Sequence, residues 1–227
     1  MRVVVVRPAP GDARTLAALA ALNVDSEAIA VFEVVPVAWT PPDPARFDAL
    51  LLTSANAVRH GGPGLAALAR LPVVAVGEAT ARAARAAGMT VALTGTGDAA
   101  AIVTTAATAG LPRLLHLAGR DRIATGNETI TVYANEPRRL PPGTAARLAG
   151  ATVLLHSARA AARVAILVDA AGIDRGGIDV AAFSAAVAAA AGTGWRRVAI
   201  AAAPDDRALI AAAIDRGAAP EDKSDND

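Results

Sequence analysis

The chain has 227 residues, a formal net charge of +1, and 54% hydrophobic but only 3% aromatic residues. That balance supplies no field for nucleic acid or an anionic membrane, and the absence of cysteine excludes a disulfide framework, a thiolate nucleophile and a cysteine metal site. No run approaches the roughly 18 apolar residues of a membrane span, and the opening M-R-V-V-V-V-R-P is too short for a signal-peptide core, so the reading is a cytoplasmic protein with cores of Ala, Val and Leu.

In chain order, residues 2–6 read as a buried parallel strand, 8–11 as a turn, and 13–22 as a helix capped by Asp12. Residues 28–37 form one β-rich run carrying Phe32, Val34 and Val35, and T-P-P-D-P at 40–44 then breaks regular structure. From 45 to about 126, strands at 49–52, 73–76, 89–93 and 113–117 alternate with helices at 55–60, 64–69, 80–87 and 98–109. Such alternation indicates a parallel sheet with right-handed crossovers. A second β-rich run at 130–133 precedes Pro137, Pro141 and Pro142. The alternation then resumes, with strands at 153–155, 180–182 and 198–201 and helices at 158–171, 185–191 and 205–216. The polar tail from 218 onward reads as frayed.

Two stretches occur twice. L-L-T-S-A-N-A-V at 51–58 is echoed by L-L-H-S-A-R-A-A at 154–161, and V-V-A-V-G-E-A-T-A-R-A-A-R-A-A-G at 73–88 by D-V-A-A-F-S-A-A-V-A-A-A-A-G at 179–192. Ser54 and Ser157 lie 103 positions apart, and Thr80 and Ser184 lie 104 apart, so one architectural unit is used twice. The expected fold is α/β, with two similar parallel-sheet lobes joined by a two-stranded antiparallel ladder and an active-site cleft between them. Residues 1–33 plus 139–227 would make one discontinuous lobe and 41–127 the inserted one, with 34–40 and 128–138 as linkers.

Taken together these pieces resemble uroporphyrinogen-III synthase. The matching motifs are V-V-R-P at 5–8, L-T-S-A-N-A-V at 52–58, V-A-V-G-E-A-T-A at 74–81, L-A-G-R-D-R at 117–122, T-V-Y at 131–133, L-H-S-A-R-A-A at 155–161 and A-F-S-A-A-V at 182–187. The resemblance implies a cytoplasmic, cofactor-independent hydro-lyase, and the expectation is a monomer. That family cyclises hydroxymethylbilane, a linear tetrapyrrole with many carboxylates, inverting its last pyrrole ring through a spiro intermediate as water is lost. Two departures stand out. The segment between Arg122 and Thr129 leaves no room for the helix the family has there. The second V-G-x-x-T-A copy has Ala181 and Ser184 in place of glycine and threonine.

A near-neutral protein can grip carboxylates through helix N-termini, where free N–H groups and the macrodipole favour negative charge. Ser54, Thr80, Ser157 and Ser184 stand where strands hand over to helices, and they are the candidate substrate-binding hydroxyls; the alternative is that each only caps its own helix. Arg7 and Arg120 are candidate carboxylate contacts, as is Arg122 in the same G-R-D-R run. Tyr133, the only tyrosine, matches the tyrosine of the family's V-Y motif. The resemblance makes it the candidate catalytic residue, a hydrogen-bond donor to the departing hydroxyl; otherwise it is an ordinary strand aromatic. Gly95–Ala100 imitates a G-x-G-x-x-A dinucleotide loop without an acidic partner, and His60, His116 and His156 lack metal-ligand spacing. A second reading keeps the scaffold but makes it a non-catalytic tetrapyrrole- or anion-binding module, since lost substrate contacts need not disturb folding.

Overall fold

A computed structural model describes residues 1–215; the expected frayed tail, and the end of the last expected helix, lie outside them. The chain opens with β1 (Arg2–Val5), α1 (Gly11–Ala20), β2 (Asp25–Ala28) and β3 (Phe32–Pro36). It continues through β4 (Ala49–Leu52), α2 (Ala55–His60), α3 (Gly64–Ala67), β5 (Val73–Ala75), α4 (Glu78–Ala86), β6 (Val91–Thr94) and α5 (Ala99–Thr108). Then come β7 (Leu114–Gly119), β8 (Glu128–Pro137), β9 (Thr152–Leu155), α6 (Ala158–Ala170), β10 (Asp179–Ala182), α7 (Ala185–Ala191), β11 (Arg197–Ile200) and α8 (Asp206–Ile214). Two compact units result: Met1–Glu33 with the chain from Pro137 onward, and Val34–Glu136.

In the first unit a five-stranded sheet runs β11-β10-β9-β1-β2, with every adjacent pair parallel. In the second, a six-stranded sheet runs β3-β8-β7-β4-β5-β6. There β8 through β6 are parallel, while β3 pairs with β8 in the antiparallel sense: Val37 N–H donates to the Val132 carbonyl and Arg138 N–H to that of Val31. Leaving β3 aside, the orders correspond strand for strand, β4 with β9, β5 with β10, β6 with β11, β7 with β1 and β8 with β2. The units are therefore circular permutants of one layout. The pair β7–β8 comes last in one, and its counterpart β1–β2 comes first in the other.

The central strands β4 and β9 are buried at every position, which favours apolar side chains on both faces and explains the runs Ala49–Leu52 and, after Thr152, Val-Leu-Leu. In the first unit, Val4, Val153 and Val180 pack under α6 and α7, while Val3, Val5 and Leu154 pack under α1 and α8. In the second, Leu50, Leu52, Leu115 and Leu117 pack under α2 and α4, and Ala49, Leu51, Val74 and Leu114 under α5. The counterpart of α1 is missing. Residues 120–127, which join parallel neighbours β7 and β8, form no helix.

Several expectations need correction. Of the run 28–37 only Phe32–Pro36 forms a strand of its own, β3, and the polar β2, Asp-Ser-Glu-Ala, ends where the run begins, an edge strand with no burial pattern to betray it. Asp12 does not cap α1. Pro10 stands at the cap position, and the Asp12 carboxylate accepts the Ala13 N–H at 2.7 Å inside the first turn. Strand β6 begins at Val91 rather than 89, and β8 extends well beyond 130–133 because it pairs with both β7 and β3.

Candidate functional site

Doubly wound sheets bind ligands beyond the carboxyl ends of the strands, where the strand order reverses. In the second unit that point lies between β4 and β7, and a cavity of about 770 Å³ opens there. Its polar lining is Thr53, Ser54, Asp98, Asp121, Arg122, Thr125 and Tyr133, with Val76, Val103 and Ile123 among its apolar walls. The missing crossover helix explains the space. Where α1 covers the first unit's sheet, an extended loop passes instead, and Ile123 on it is 86% exposed.

Each lining side chain has a local reason for its place. Ser54 is the N-cap of α2, its Oγ accepting the Asn56 N–H at 3.2 Å. Asp98 caps α5 by accepting the Ala100 N–H at 2.8 Å. A carboxylate therefore stands at the helix terminus where a dinucleotide pyrophosphate would sit, so Gly95–Ala100 is poorly suited to that ligand. Tyr133 packs its ring on Gly119, where a Cβ would come within 2.7 Å of the ring. Its ring centroid lies 6.4 Å from that of His60, whose pKa is lowered by burial and then by Arg59. The Arg122 Nη1 donates to the Thr131 Oγ1 at 2.9 Å and to the Gly119 carbonyl at 3.1 Å.

Beneath this lining lies His116, 1% exposed. Its Nε2 is 3.1 Å from the Thr53 Oγ1 and its Nδ1 is 3.1 Å from the Thr125 Oγ1. Burial, followed by the nearby Arg122 charge, lowers its pKa to about 4.

The first unit has a second polar cluster at its own reversal point, between β1 and β9. Asp206, in the first turn of α8, takes Arg7 Nη1 on Oδ1 at 3.0 Å, and on Oδ2 takes Thr15 Oγ1 at 3.2 Å and Arg14 Nε at 3.3 Å. His156 Nε2 stands 3.3 Å from the same Oδ1, and its ring meets Phe183 edge-on at 4.7 Å. Its pKa also falls to about 4, mainly through burial and then Arg7, with Asp206 opposing. A cavity of about 610 Å³ is bordered by Arg7, Arg14, Phe183 and Asp206.

Of the residues singled out in the sequence, the larger cavity gathers Ser54, Arg122 and Tyr133, and Arg7 borders the smaller one. Ser157 and Ser184 are the N-caps of α6 and α7, accepting the Ala160 N–H at 3.2 Å and the Val187 N–H at 3.4 Å. Capping uses an oxygen lone pair and leaves each hydroxyl proton available to another acceptor. Thr80 is not a helix tip. It is the third residue of α4, buried, and Gly77 holds the cap position. Arg120 ion-pairs with Glu136, and its backbone N–H donates to the Tyr133 carbonyl at 3.0 Å. Sequence reasoning passed over Thr125, Asp206 and the two buried histidines as site residues. The signal for His116 was a lone polar residue in the apolar run L-L-H-L-A; Asp206 gave none.

A family model described as uroporphyrinogen-III synthase HemD matches residues 13–211. The chain belongs to the uroporphyrinogen-III synthase family. These are lyases of tetrapyrrole and heme biosynthesis that act on hydroxymethylbilane. The fold is similar to that of uroporphyrinogen-III synthetase from Helicobacter pylori 26695, at 18% identity and a TM-score of 0.61, covering 93% of this chain and 97% of that one. Wild-type uroporphyrinogen-III synthase from the extremely thermophilic bacterium Thermus thermophilus matches at 16% identity and a TM-score of 0.38, covering 94% and 95%. Comparison with curated protein sequences finds no match. Among the described residues no helix is long and apolar enough to cross a membrane, and no group of three or more His, Asp or Glu could hold a metal ion.

Proposed function

We propose that this chain works on hydroxymethylbilane at the larger cavity, with Tyr133 as the group that assists departure of the hydroxyl. The observation that carries this reading is the composition of the larger cavity: one phenol among hydroxyls and apolar walls, at the reversal point of the sheet. The cavity's two carboxylates, Asp98 and Asp121, outnumber its single guanidinium, Arg122. It therefore suits a pyrrole ring bearing the hydroxymethyl group better than a cluster of substrate carboxylates. Carboxylates are better served by Arg7 and Arg14, and by the hydroxyls of Ser157 and Ser184 at the starts of α6 and α7.

In the reaction the hydroxymethyl C–O bond breaks as the pyrrole nitrogen gives up its N–H proton, and the departing hydroxide together with that proton makes the water released. A hydrogen bond from the Tyr133 hydroxyl to that oxygen stabilises the developing charge. The azafulvene carbon left behind is then attacked by the terminal pyrrole. The apolar walls hold that ring close enough for the spiro closure to outpace direct cyclisation, which is a positioning effect. The protein is proposed to act as a cytoplasmic monomer without a cofactor.

Steady-state turnover of hydroxymethylbilane by wild type, Tyr133→Phe and Arg7→Ala tests these roles. Tyr133→Phe should lose roughly tenfold or more in kcat with a melting temperature within a few degrees of wild type, and Arg7→Ala should act mainly on KM. Unchanged turnover in Tyr133→Phe removes the phenol from the mechanism. Tight tetrapyrrole binding by a wild-type protein that never turns over would favour the non-catalytic module.

A further inference from the structure

His116 occupies a position that should be apolar. In the second unit β4 pairs Leu51 with His116, and in the first β9 pairs Leu154 with Val5. Leu51 and Leu154 are themselves 103 positions apart, the spacing of Ser54 and Ser157. The permuted correspondence of the two sheets therefore matches His116 to Val5, which lies in the core under α1 and α8. The loop 120–127, which stands where the first unit has α1, brings Thr125 onto one ring nitrogen while Thr53, just past β4, takes the other. Both threonines line the cavity.

A neutral imidazole has one N–H and one lone pair. One threonine must therefore accept from the ring, keeping its own proton for another partner, while the other must donate to the ring and offers only lone pairs elsewhere. Arg122 decides between the two arrangements. It is anchored to Thr131 of β8, the neighbour of β7 opposite β4, whereas Nε2 faces Thr53 at the end of β4, which puts its charge nearer Nδ1 than Nε2. A positive charge there disfavours a proton on Nδ1.

On the reading of the cavity given above, we propose that His116 is a positioning residue: as the Nε2–H tautomer it donates to Thr53, whose hydroxyl proton is thereby turned toward the cavity as a fixed hydrogen-bond donor for an acceptor oxygen of the substrate. Thr125 donates to Nδ1 in the same arrangement and presents only lone pairs. The site thus carries one oriented donor and one oriented acceptor on opposite sides of β7, an asymmetry that two freely rotating hydroxyls would lack.

The chain has three histidines, so ¹⁵N spectra of histidine-labelled ligand-free protein can be assigned by substitution. At pH 7 the His116 signals should be those of a single neutral Nε2–H tautomer, unchanged on acidification to pH 5. An Nδ1–H form, a mixture of tautomers or an imidazolium at pH 7 overturns the proposal. His116→Val, which installs the residue of the matching position, should raise KM for hydroxymethylbilane roughly fivefold, the worth of about one hydrogen bond, with kcat little changed. His116→Gln keeps a donor and an acceptor and should recover most of that loss. A valine variant with wild-type KM overturns the proposal, and if that variant fails to fold the tautomer of the wild-type protein decides. A wild type without turnover would defeat the functional reading and leave the tautomer result to judge His116 alone.

Discussion

Tyr133 owes its position to the residue it lies on. Gly119 ends β7, and any Cβ there would meet the tyrosine ring at 2.7 Å. Gly119→Ala should therefore displace the phenol, costing about 1–3 kcal/mol of stability and lowering turnover further than that loss explains; circular dichroism melts alongside turnover check it. The two buried histidines make a second prediction at this scale. His116 and His156 both have pKa values of about 4, against about 6.5 in an unfolded chain. Above pH 6.5 both states hold them neutral. As the pH falls below that, the unfolded chain takes up protons that the native one refuses, so stability declines until about pH 4. Between pH 7 and 5 the loss is on the order of 2 kcal/mol per histidine, readable from urea midpoints. In His116→Val the decline should be clearly shallower, and an unchanged slope would contradict the burial argument.

Among the elements, helix caps and the loop that replaces a helix matter most. Ser157 caps the 13-residue α6, and Ser157→Ala should cost about 1 kcal/mol, measured by denaturant unfolding. Asp206 gathers Arg7, Arg14, Thr15 and His156 at the start of α8. Asp206→Asn should destabilise the first unit by about 1–3 kcal/mol, since it leaves half-buried Arg7 without its counter-charge. The strands β4 and β9 and the serines after them were legible in the sequence, because a fully buried strand is mostly apolar and a capping hydroxyl has a fixed place. By contrast β2 was invisible, its Asp-Ser-Glu-Ala being an edge strand held by backbone bonds to β1. The start of α4 was misread because Gly77 leaves the helix without a side-chain cap, so the first hydroxyl in the stretch, Thr80, looked like one.

For the molecule as a whole, the repeated motifs revealed two related units but not how they are related. An offset of 103 or 104 positions reports only on strands that keep the same order, here β4–β5 and β9–β10 of the runs β4–β6 and β9–β11. The permutation depends on β7–β8 matching β1–β2, and those segments have little sequence in common because one crossover is a helix and the other a loop. The larger cavity follows from that difference: the face that α1 closes in one unit stays open in the other. His116 and Thr125 belong to this open face, which is why no repeat pointed to them. The family motifs, in contrast, lie mostly at strand ends, where chain reversal and capping restrict residue choice, and so the family was recognisable from sequence. The most direct check on the function is the isomer composition formed when the purified chain is given hydroxymethylbilane and the porphyrinogens are separated. Uroporphyrinogen III well above the protein-free control is the predicted result, and formation of only the unrearranged type I isomer would contradict it.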